Sequence, residues 1–184
     1  MNFLNEFVKY EPDAFDGEIL DPCAGGDLNN PMNFPEALIK FGIDKNKIYT
    51  IDIRNDSRAE IKAEYLTYQL DFRPKMIITN PPFIIAQEII EKALSDVDDN
   101  GFVIMLLRLN YFGGKKRKKF WDENMPKYVF VHNLDVVEML CDWMVAVKRH
   151  EDGDIYKSIE INKERFGLSD QLVQILKNTV EKLR

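Results

Sequence analysis

The sequence predicts an α/β fold built on a mostly parallel sheet. Short apolar runs that indicate buried strands occur at 18–20, 48–53, 75–79 and 101–107, and the intervening segments favour helices. The run at 101–107 is apolar throughout, as is typical of a parallel strand that is buried on both faces. A glycine turn follows the first strand and two consecutive prolines follow the third, so the chain leaves the sheet sharply at both places.

The composition indicates a folded globular protein and sets limits on its partners. The chain of 184 residues is long enough for one sizeable core, and its 45% hydrophobic content supports such a core. We expect no membrane span and no signal peptide. Cys23 and Cys141 fall in separate elements without metal-ligand spacing, so we expect reduced thiols in a cytoplasmic protein, and no metal. The net charge of −6 requires any nucleic-acid contact to be local.

The turn after the strand at 75–79 has the chemistry to hold a planar base. It consists of Asn80, Pro81, Pro82 and Phe83. Neither proline donates a backbone hydrogen bond, so the chain must leave the sheet in an extended turn before a helix predicted over Ile84–Leu94. The side-chain oxygen of Asn80 and the carbonyl of Pro81 can each accept one hydrogen of an exocyclic amine. Phe83 can stack on the ring, which contributes roughly 1–3 kcal/mol per base.

These four residues resemble motif IV of the S-adenosylmethionine-dependent amino-methyltransferases, chiefly the DNA adenine-N6 enzymes. The glycine turn is similar to motif I of that family, the cofactor loop, which often reads Asp-Pro-x-x-Gly-x-Gly in its amino-methylating members. Asp27 stands in this chain where the last glycine would be. The resemblance assigns cofactor binding to Asp21, Pro22, Cys23, Ala24 and Gly25.

The spacing after the glycine turn argues against a dinucleotide site. A dinucleotide fingerprint requires Gly-x-Gly-x-x-Gly with a helix that opens at once, so that the pyrophosphate lies at the helix N-terminus. Asparagines and prolines instead delay the helix to roughly Pro35–Phe41. S-adenosylmethionine carries a carboxylate and an ammonium but no phosphate, and it therefore suits this loop better.

Two further acidic residues follow predicted strands. Asp52 ends the strand at 48–53, some two dozen residues past the glycines, where an acid accepts hydrogen bonds from ribose hydroxyls. Asp52 capping a turn is the alternative, and Asp56 is the fallback for the ribose. Glu64, followed by an aromatic residue and leucine, resembles the third cofactor motif, which implies a place beside the cofactor adenine. A surface glutamate is the alternative, with Asp71 as a rival for the role.

A basic stretch follows the strand at 101–107. It comprises Lys115, Lys116, Arg117, Lys118 and Lys119, the densest positive charge in an acidic protein. Phosphate contacts here would position a nucleic acid and make its binding depend on salt. A solvated helix face that leads to Phe120 and Trp121 explains the stretch equally well.

The remaining segments complete a sheet and add a terminal helix. We expect residues 57–63 to be helical. Tyr128–His132 and Trp143–Val147 read as two strands, and the connection between them is too short for a crossover helix, so a hairpin is expected. Residues 151–168 are polar and weakly patterned. A helix over residues 169–183 presents one apolar face, which docks on its own domain or pairs with a second copy.

The resemblance covers roughly residues 18–148 and implies both a fold and an activity. The implied fold is a Rossmann-like three-layer α/β sandwich, with a seven-stranded mostly parallel sheet that carries one antiparallel strand. Residues 1–150 would form the methyltransferase domain, and 151–184 a C-terminal polar segment and helix. The implied reaction is methyl transfer from S-adenosylmethionine to the N6 amine of adenine in DNA, as in small phage-type enzymes, without a metal.

Three alternatives stay open. The same chemistry acts on RNA in enzymes with the same four-residue motif. Cytosine N4 or a protein glutamine amide is also an amino group on a planar system. A non-catalytic subunit with the same fold, which binds a partner, belongs to a different class of function.

Overall fold

The computed structural model describes residues 3–108, 111, 117–130, 140–145, 147, 153–166, 168 and 170–183. The chain divides into two compact units, Met1–Leu107 and Arg108–Arg184. The first unit contains the sheet, and the described part of the second is helical wherever it is regular. The boundary expected near residue 150 rested on the resemblance and stays a prediction.

The first unit contains a five-stranded sheet in which every described pairing is parallel. Its strands are β1 (Ile19–Asp21), β2 (Ile48–Asp52), β3 (Ile61–Lys62), β4 (Met76–Thr79) and β5 (Phe102–Met105). Their spatial order is β3-β2-β1-β4-β5. Ile19 of β1 lies opposite Ile48 on one side and Met76 on the other, so β1 is paired on both edges. The predicted α/β fold with a parallel sheet is confirmed.

The expected seven strands and antiparallel hairpin are wrong for the described residues. Residues 128–130 are not in a strand, and 140–145 and 147 are helical; His132 lies outside the described residues. The apolar run around Trp143 has helical spacing once Leu140 is included, because apolar residues then recur at positions i, i+3, i+4 and i+7. That face packs on a buried cluster of the second unit, which favours a helix over an edge strand.

Short segments of the first unit differ from expectation where tertiary pairing competes with local preference. Residues 57–63 are not helical: β3 adds to the sheet edge, with Ile61 opposite Ile51. A single isolated helical turn is unstable in water. An edge strand instead forms hydrogen bonds with the backbone of the neighbouring strand. Strand β5 is only half-buried rather than covered on both faces, because it is an edge strand of the described sheet.

Helices pack on both faces of the sheet. They are α1 (Phe3–Tyr10), α2 (Asn33–Phe41) and α3 (Ala86–Asp96), with 3-10 turns at Pro12–Phe15 and Lys45–Lys47. Val103 of β5 packs against the core cluster that contains Ile89 of α3. The adjacent residue Phe102 meets Phe7 of α1 edge to face, with ring centroids 5.6 Å apart. Successive side chains of a strand point to opposite faces, so α1 and α3 cover different faces.

One buried cluster of the first unit joins the sheet to α3. Its members are Leu20, Ile51, Tyr65, Ile77, Ile89, Ala93 and Val97. The hydroxyl of Tyr65 donates to Asp96 at 2.9 Å, and Lys92 pairs with the same carboxylate. Tyr65 therefore fixes the segment after β3 against the end of α3.

The second unit has a helical core of its own. Its named helices are α4 (Lys118–Glu123), α5 (Ile155–Phe166) and α6 (Asp170–Leu183). Leu140, Ile155, Ile159, Val173, Leu176 and Val180 form its buried cluster. The helix α6 confirms the predicted terminal helix, whereas α5 was not predicted. Asp154 caps α5 by accepting from the Tyr156 N–H at 2.8 Å, a signal present in the sequence as an acidic residue before Ile155 and Ile159. Within the described residues, no helix has both the length and the apolar character to cross a bilayer.

We predict that Ile77→Ala lowers the free energy of unfolding by about 2–5 kcal/mol, because Ile77 lies fully buried on β4 and its truncation leaves a cavity. The control is Ile84→Ala, seven residues along the chain with a side chain that is 95% exposed. Urea denaturation monitored by circular dichroism measures both. Equal losses in the two variants would contradict the assignment of β4 to the core.

Candidate functional site

The polar residues that the sequence singled out lie at the C-terminal ends of the parallel strands. This end of the sheet is called its carboxyl edge here. Asp21 ends β1, Asp52 ends β2, Glu64 follows β3, and Asn80 follows β4. Parallel strands point the same way, so these four residues lie at one edge. The chain goes from β1 to β2 on one side, while β4 lies on the other side of β1. This reversal of strand order is the place where open α/β sheets bind their ligands.

Asp21 joins the first strand to the fourth. Its Oδ1 atom accepts a hydrogen bond from Thr79 Oγ1 at 2.6 Å and one from the Cys23 N–H at 3.2 Å. Asp21 is 1% exposed and Thr79 is fully buried. Burial raises the pKa of Asp21 from 3.8 to about 7; the two hydrogen bonds oppose this shift, and the charge of Asp52 adds to it.

The glycine turn is held by contacts from the next segment of the chain. Gly25 and Gly26 have φ of +65° and +71°, which side chains rarely adopt. The Gly25 N–H donates to Asp52 Oδ2 at 2.7 Å, and its carbonyl accepts from Ser57 Oγ at 2.6 Å. Arg54 donates to the Gly26 carbonyl at 2.8 Å. The residues after β2 therefore fix the shape of the turn after β1.

Asp52 both caps a turn and supports the glycine turn. Its Oδ1 atom accepts from the Arg54 N–H at 2.8 Å and from Arg54 Nε at 3.3 Å, in addition to the Gly25 bond. A carboxylate offers about four lone-pair positions, and three are used here. The capping alternative for Asp52 is therefore present in the structure, and ribose binding stays a prediction.

Asp27 stands where the motif has its last glycine, and its side chain closes a turn with the residues that follow. Its carboxylate accepts from the N–H groups of Asn29 and Asn30, both at 2.8 Å, and from the Asn30 side chain at 3.0 Å. These bonds, the Asn30 side chain first, lower the pKa of Asp27. Helix α2 begins only at Asn33. The helix therefore does not open directly after the glycines, as a dinucleotide fingerprint requires.

Cys23 is surrounded by the acidic residues of the edge. Burial first, and then the charges of Asp21, Asp52 and Glu64, raise the pKa of its thiol to about 12, while a hydrogen bond with Thr79 opposes the shift. A thiol with a raised pKa is protonated at neutral pH, which disfavours nucleophilic attack by it. Glu64 is half-buried and its Oε1 accepts from the Leu66 N–H at 3.4 Å. The neighbours of Cys23, Pro22 and Ala24, are buried.

The turn after β4 presents its amide to solvent. Asn80 and Pro82 are exposed, Pro81 is buried, and Phe83 is 39% exposed. The Pro82 carbonyl accepts from the Ile85 N–H at 3.1 Å, which delays α3 by two residues relative to the prediction. The exposed amide of Asn80 and the partly exposed ring of Phe83 therefore lie in one turn, at the reversal of strand order.

The edge suits a cationic ligand with hydroxyl groups. Asp52 and Glu64 supply two carboxylates beside the buried Asp21, and their negative charge would repel a polyphosphate. At Gly25 an added Cβ would meet no atom nearer than 3.8 Å, so the backbone there is open to a ligand. The ammonium, the sulfonium and the ribose hydroxyls of S-adenosylmethionine would meet hydrogen-bond acceptors and negative charge here. Among the described residues, no group of three or more His, Cys, Asp or Glu is arranged to hold a metal ion.

The basic stretch is described only in part. The Arg117 guanidinium lies over the Tyr111 ring at 4.0 Å and donates to its carbonyl at 3.3 Å. Lys118 begins α4 and pairs with Asp122 at 2.6 Å on the exposed face. Outside the described residues lie Lys115 and Lys116. These contacts are those of a solvated helix face, and nucleic-acid binding by the stretch stays a prediction.

Three residues of the edge were missed by the sequence analysis. The side chain of Thr79 donates a hydrogen bond to Asp21, and that of Ser57 donates one to the Gly25 carbonyl. The Arg54 side chain donates to both Asp52 and Gly26. A hydroxyl residue at the end of an otherwise apolar strand was the one available signal for Thr79. Ser57 and Arg54 carry no such signal, because their roles depend on how the chain folds back onto the glycine turn.

The comparison with known families finds one match. The sequence profile of a family of unknown function (DUF5662) matches residues 118–182, about a third of the chain. The matched segment lies in the second unit and includes none of the residues that end or directly follow the strands of the sheet. No curated protein and no solved structure matches the chain.

We predict that Asp21→Asn changes how stability depends on pH. Unfolded Asp21 ionises near pH 3.8 and folded Asp21 near 7, so the wild-type free energy of unfolding falls as pH rises between these values. Asparagine keeps the accepting oxygen and cannot ionise. The variant should therefore gain stability over the wild type, on the order of a few kcal/mol, between pH 4 and pH 8. Urea denaturation across this range measures the difference.

The control for this prediction is Asp13→Asn, whose side chain is exposed. Its stability difference from the wild type should not vary with pH. Parallel pH profiles of wild type and Asp21→Asn would contradict a carboxyl group that stays protonated in the folded protein.

Proposed function

We propose that this chain is a cytoplasmic S-adenosylmethionine-dependent methyltransferase that acts on the N6 amine of adenine in DNA. The observation that carries the proposal is the position of the Asn80–Phe83 turn. It leaves β4 at the reversal of strand order, hydrogen-bonded through Thr79 to the residue that begins the glycine turn after β1. Two motifs 58 residues apart in sequence therefore lie side by side.

The residues of the glycine turn and its neighbours would hold the cofactor. Open backbone at Gly25 admits a ligand. The buried side chain of Asp21 would hold the glycine turn in place through the hydrogen bond that it accepts from the Cys23 N–H. Asp52 would receive the ribose hydroxyls with its remaining acceptor capacity, and Glu64 the adenine amine. Once bound, the sulfonium supplies a methyl group that is already activated for transfer. The protein therefore needs mainly to position groups and to stabilise charge.

The Asn80–Phe83 turn would hold the accepting base. The amine nitrogen is a poor nucleophile because its lone pair is delocalised into the ring. Hydrogen bonds from the amine to Asn80 Oδ1 and to the Pro81 carbonyl favour a more pyramidal nitrogen, which gains the methyl group and loses a proton to water. Phe83, 39% exposed, would stack on the base and offset part of the few kcal/mol that its extrusion from a duplex costs.

The distribution of charge favours the second unit as the part that meets phosphates. Residues 1–107 contain 10 Lys and Arg against 19 Asp and Glu, whereas 108–184 contain 15 against 12. The acidic first unit repels a nucleic-acid backbone, so attraction must come from the second. Lys115, Lys116, Arg117 and Lys118 are the proposed phosphate contacts. Cys23 and Cys141 are free thiols, in keeping with a reducing compartment.

We predict that Asn80→Ala strongly slows methyl transfer and leaves cofactor binding intact. The loss of one hydrogen-bond partner at the reacting amine should lower kcat on the order of 100-fold. Transfer of labelled methyl from S-adenosylmethionine to unmethylated duplex DNA measures kcat, and titration calorimetry measures cofactor binding. Asn46→Ala is the control, because Asn46 is also exposed but precedes β2 at the opposite edge of the sheet.

The outcomes separate the proposal from its alternatives. Label in DNA adenine that Asn80→Ala loses supports it. Label in matched RNA alone, or in cytosine or a glutamine peptide, changes the substrate and overturns the DNA assignment. No label on any of these substrates, with the cofactor bound, overturns the enzymatic role. Full activity of Asn80→Ala contradicts the mechanism.

We further predict that Lys115→Gln combined with Lys116→Gln weakens DNA binding and its dependence on salt. The slope of log K against log salt is negative, and each lost phosphate contact reduces its magnitude by about 0.9. In the double variant the magnitude of the slope should therefore be smaller by about 2, as measured by fluorescence anisotropy of labelled DNA from 50 to 300 mM salt. Lys45→Gln with Lys47→Gln, two exposed lysines before β2, should leave it unchanged. Equal slopes in both double variants would contradict phosphate binding at the basic stretch.

A further inference from the structure

One oxygen atom connects the two loops of the site. Asp21 Oδ1 accepts from the Cys23 N–H, which belongs to the glycine turn, and from Thr79 Oγ1, which directly precedes Asn80. The two strands that carry these residues are paired in register, with Leu20 opposite Ile77. The connection is therefore short on both sides: one peptide bond separates Thr79 from Asn80, and one separates Asp21 from Pro22.

The bond is built to hold its geometry. Its length of 2.6 Å lies at the short end of the range for hydroxyl donation to an oxygen atom. Asp21 is 1% exposed and Thr79 is fully buried, so water does not compete for either group. Thr79 is β-branched, which restricts its χ1 angle and fixes the direction of the hydroxyl. The bond therefore joins the start of the glycine turn to the residue that directly precedes Asn80.

We propose that Thr79 is a positioning residue, which holds the Asn80 amide in place relative to the glycine turn through the hydrogen bond from its hydroxyl to Asp21. Occupation of the glycine turn by S-adenosylmethionine is thereby coupled to the orientation of Asn80. The inference rests on the proposed function, and it adds a residue that the motif resemblance does not include. Only productive positioning depends on Thr79; cofactor affinity does not.

A purely structural role for the bond is the alternative, and Thr50 provides the matched control. Thr50 is 2% exposed, lies near the end of the neighbouring strand β2, and uses its hydroxyl to accept from the Glu60 N–H at 2.9 Å. Thr50→Val removes a buried hydroxyl of the same kind that does not adjoin Asn80. Thr79→Val removes the proposed coupling, and Thr79→Ser keeps the hydroxyl.

The experiment measures three quantities on the full chain for the wild type, Thr79→Val, Thr79→Ser and Thr50→Val. Titration calorimetry gives the dissociation constant for S-adenosylmethionine. Methyl transfer at saturating cofactor gives kcat. The side-chain amide signal of Asn80 in a ¹⁵N-correlated spectrum, identified by its loss in Asn80→Ala, reports whether cofactor binding is felt at Asn80 independently of turnover.

We expect Thr79→Val to lower kcat by about 10-fold to 100-fold, since misplacement by about 1 Å has such effects, while the dissociation constant changes by less than about threefold. Its Asn80 signal should no longer respond to cofactor. Thr79→Ser should recover most of kcat and the response. Thr50→Val should keep kcat within about twofold of the wild type and keep the response. If Thr79→Val does not fold, Thr79→Ala removes the same hydroxyl without the extra methyl group.

The results that overturn the inference differ from those that overturn the proposed function. A wild type that binds no S-adenosylmethionine overturns both. A wild type that binds and methylates, with Thr79→Val equal to it in kcat and in the Asn80 response, overturns the positioning role alone. A fall in kcat of the same size in Thr50→Val would also overturn it, because the effect would then be general destabilisation.

Discussion

The pairing of β1 on both of its edges is the constraint on which the first unit depends. Strand β1 is only three residues long, yet it lies in register with β2 on one side and β4 on the other. All three of its residues are buried, including Asp21. Because parallel strands end at one edge, this pairing brings the glycine turn and the Asn80–Phe83 turn together.

Burial of a carboxyl group at that edge has consequences for both charge and rigidity. Asp21 is held away from water, which raises its pKa toward neutrality, and it receives one hydrogen bond from each adjoining segment. Asp52, in contrast, holds the glycine turn by accepting a hydrogen bond from the Gly25 N–H. The two acids therefore have different tasks, although both end central strands. A cationic ligand at the edge would favour the ionised form of Asp21.

The second unit differs from the first in architecture, charge and similarity to known families. Its described residues form helices around an apolar cluster, and ion pairs such as Lys177–Glu160 at 2.5 Å join α5 to α6. The matching family profile lies wholly within it. Residues 108–184 also carry 15 Lys and Arg against 12 Asp and Glu, whereas the first unit is acidic.

The sequence by itself determined the elements whose signals are local. Apolar runs placed four of the strands, the double proline ended β4, and the helical spacing near the C-terminus placed α6, because each depends on neighbouring residues only. The tertiary structure decided the rest. The segment at Ile61 forms an edge strand because it pairs with the outer side of β2. The run at Trp143 is helical because its apolar face packs on a helical core. The role of Thr79 required knowing which strand lies beside β1, which no local pattern encodes.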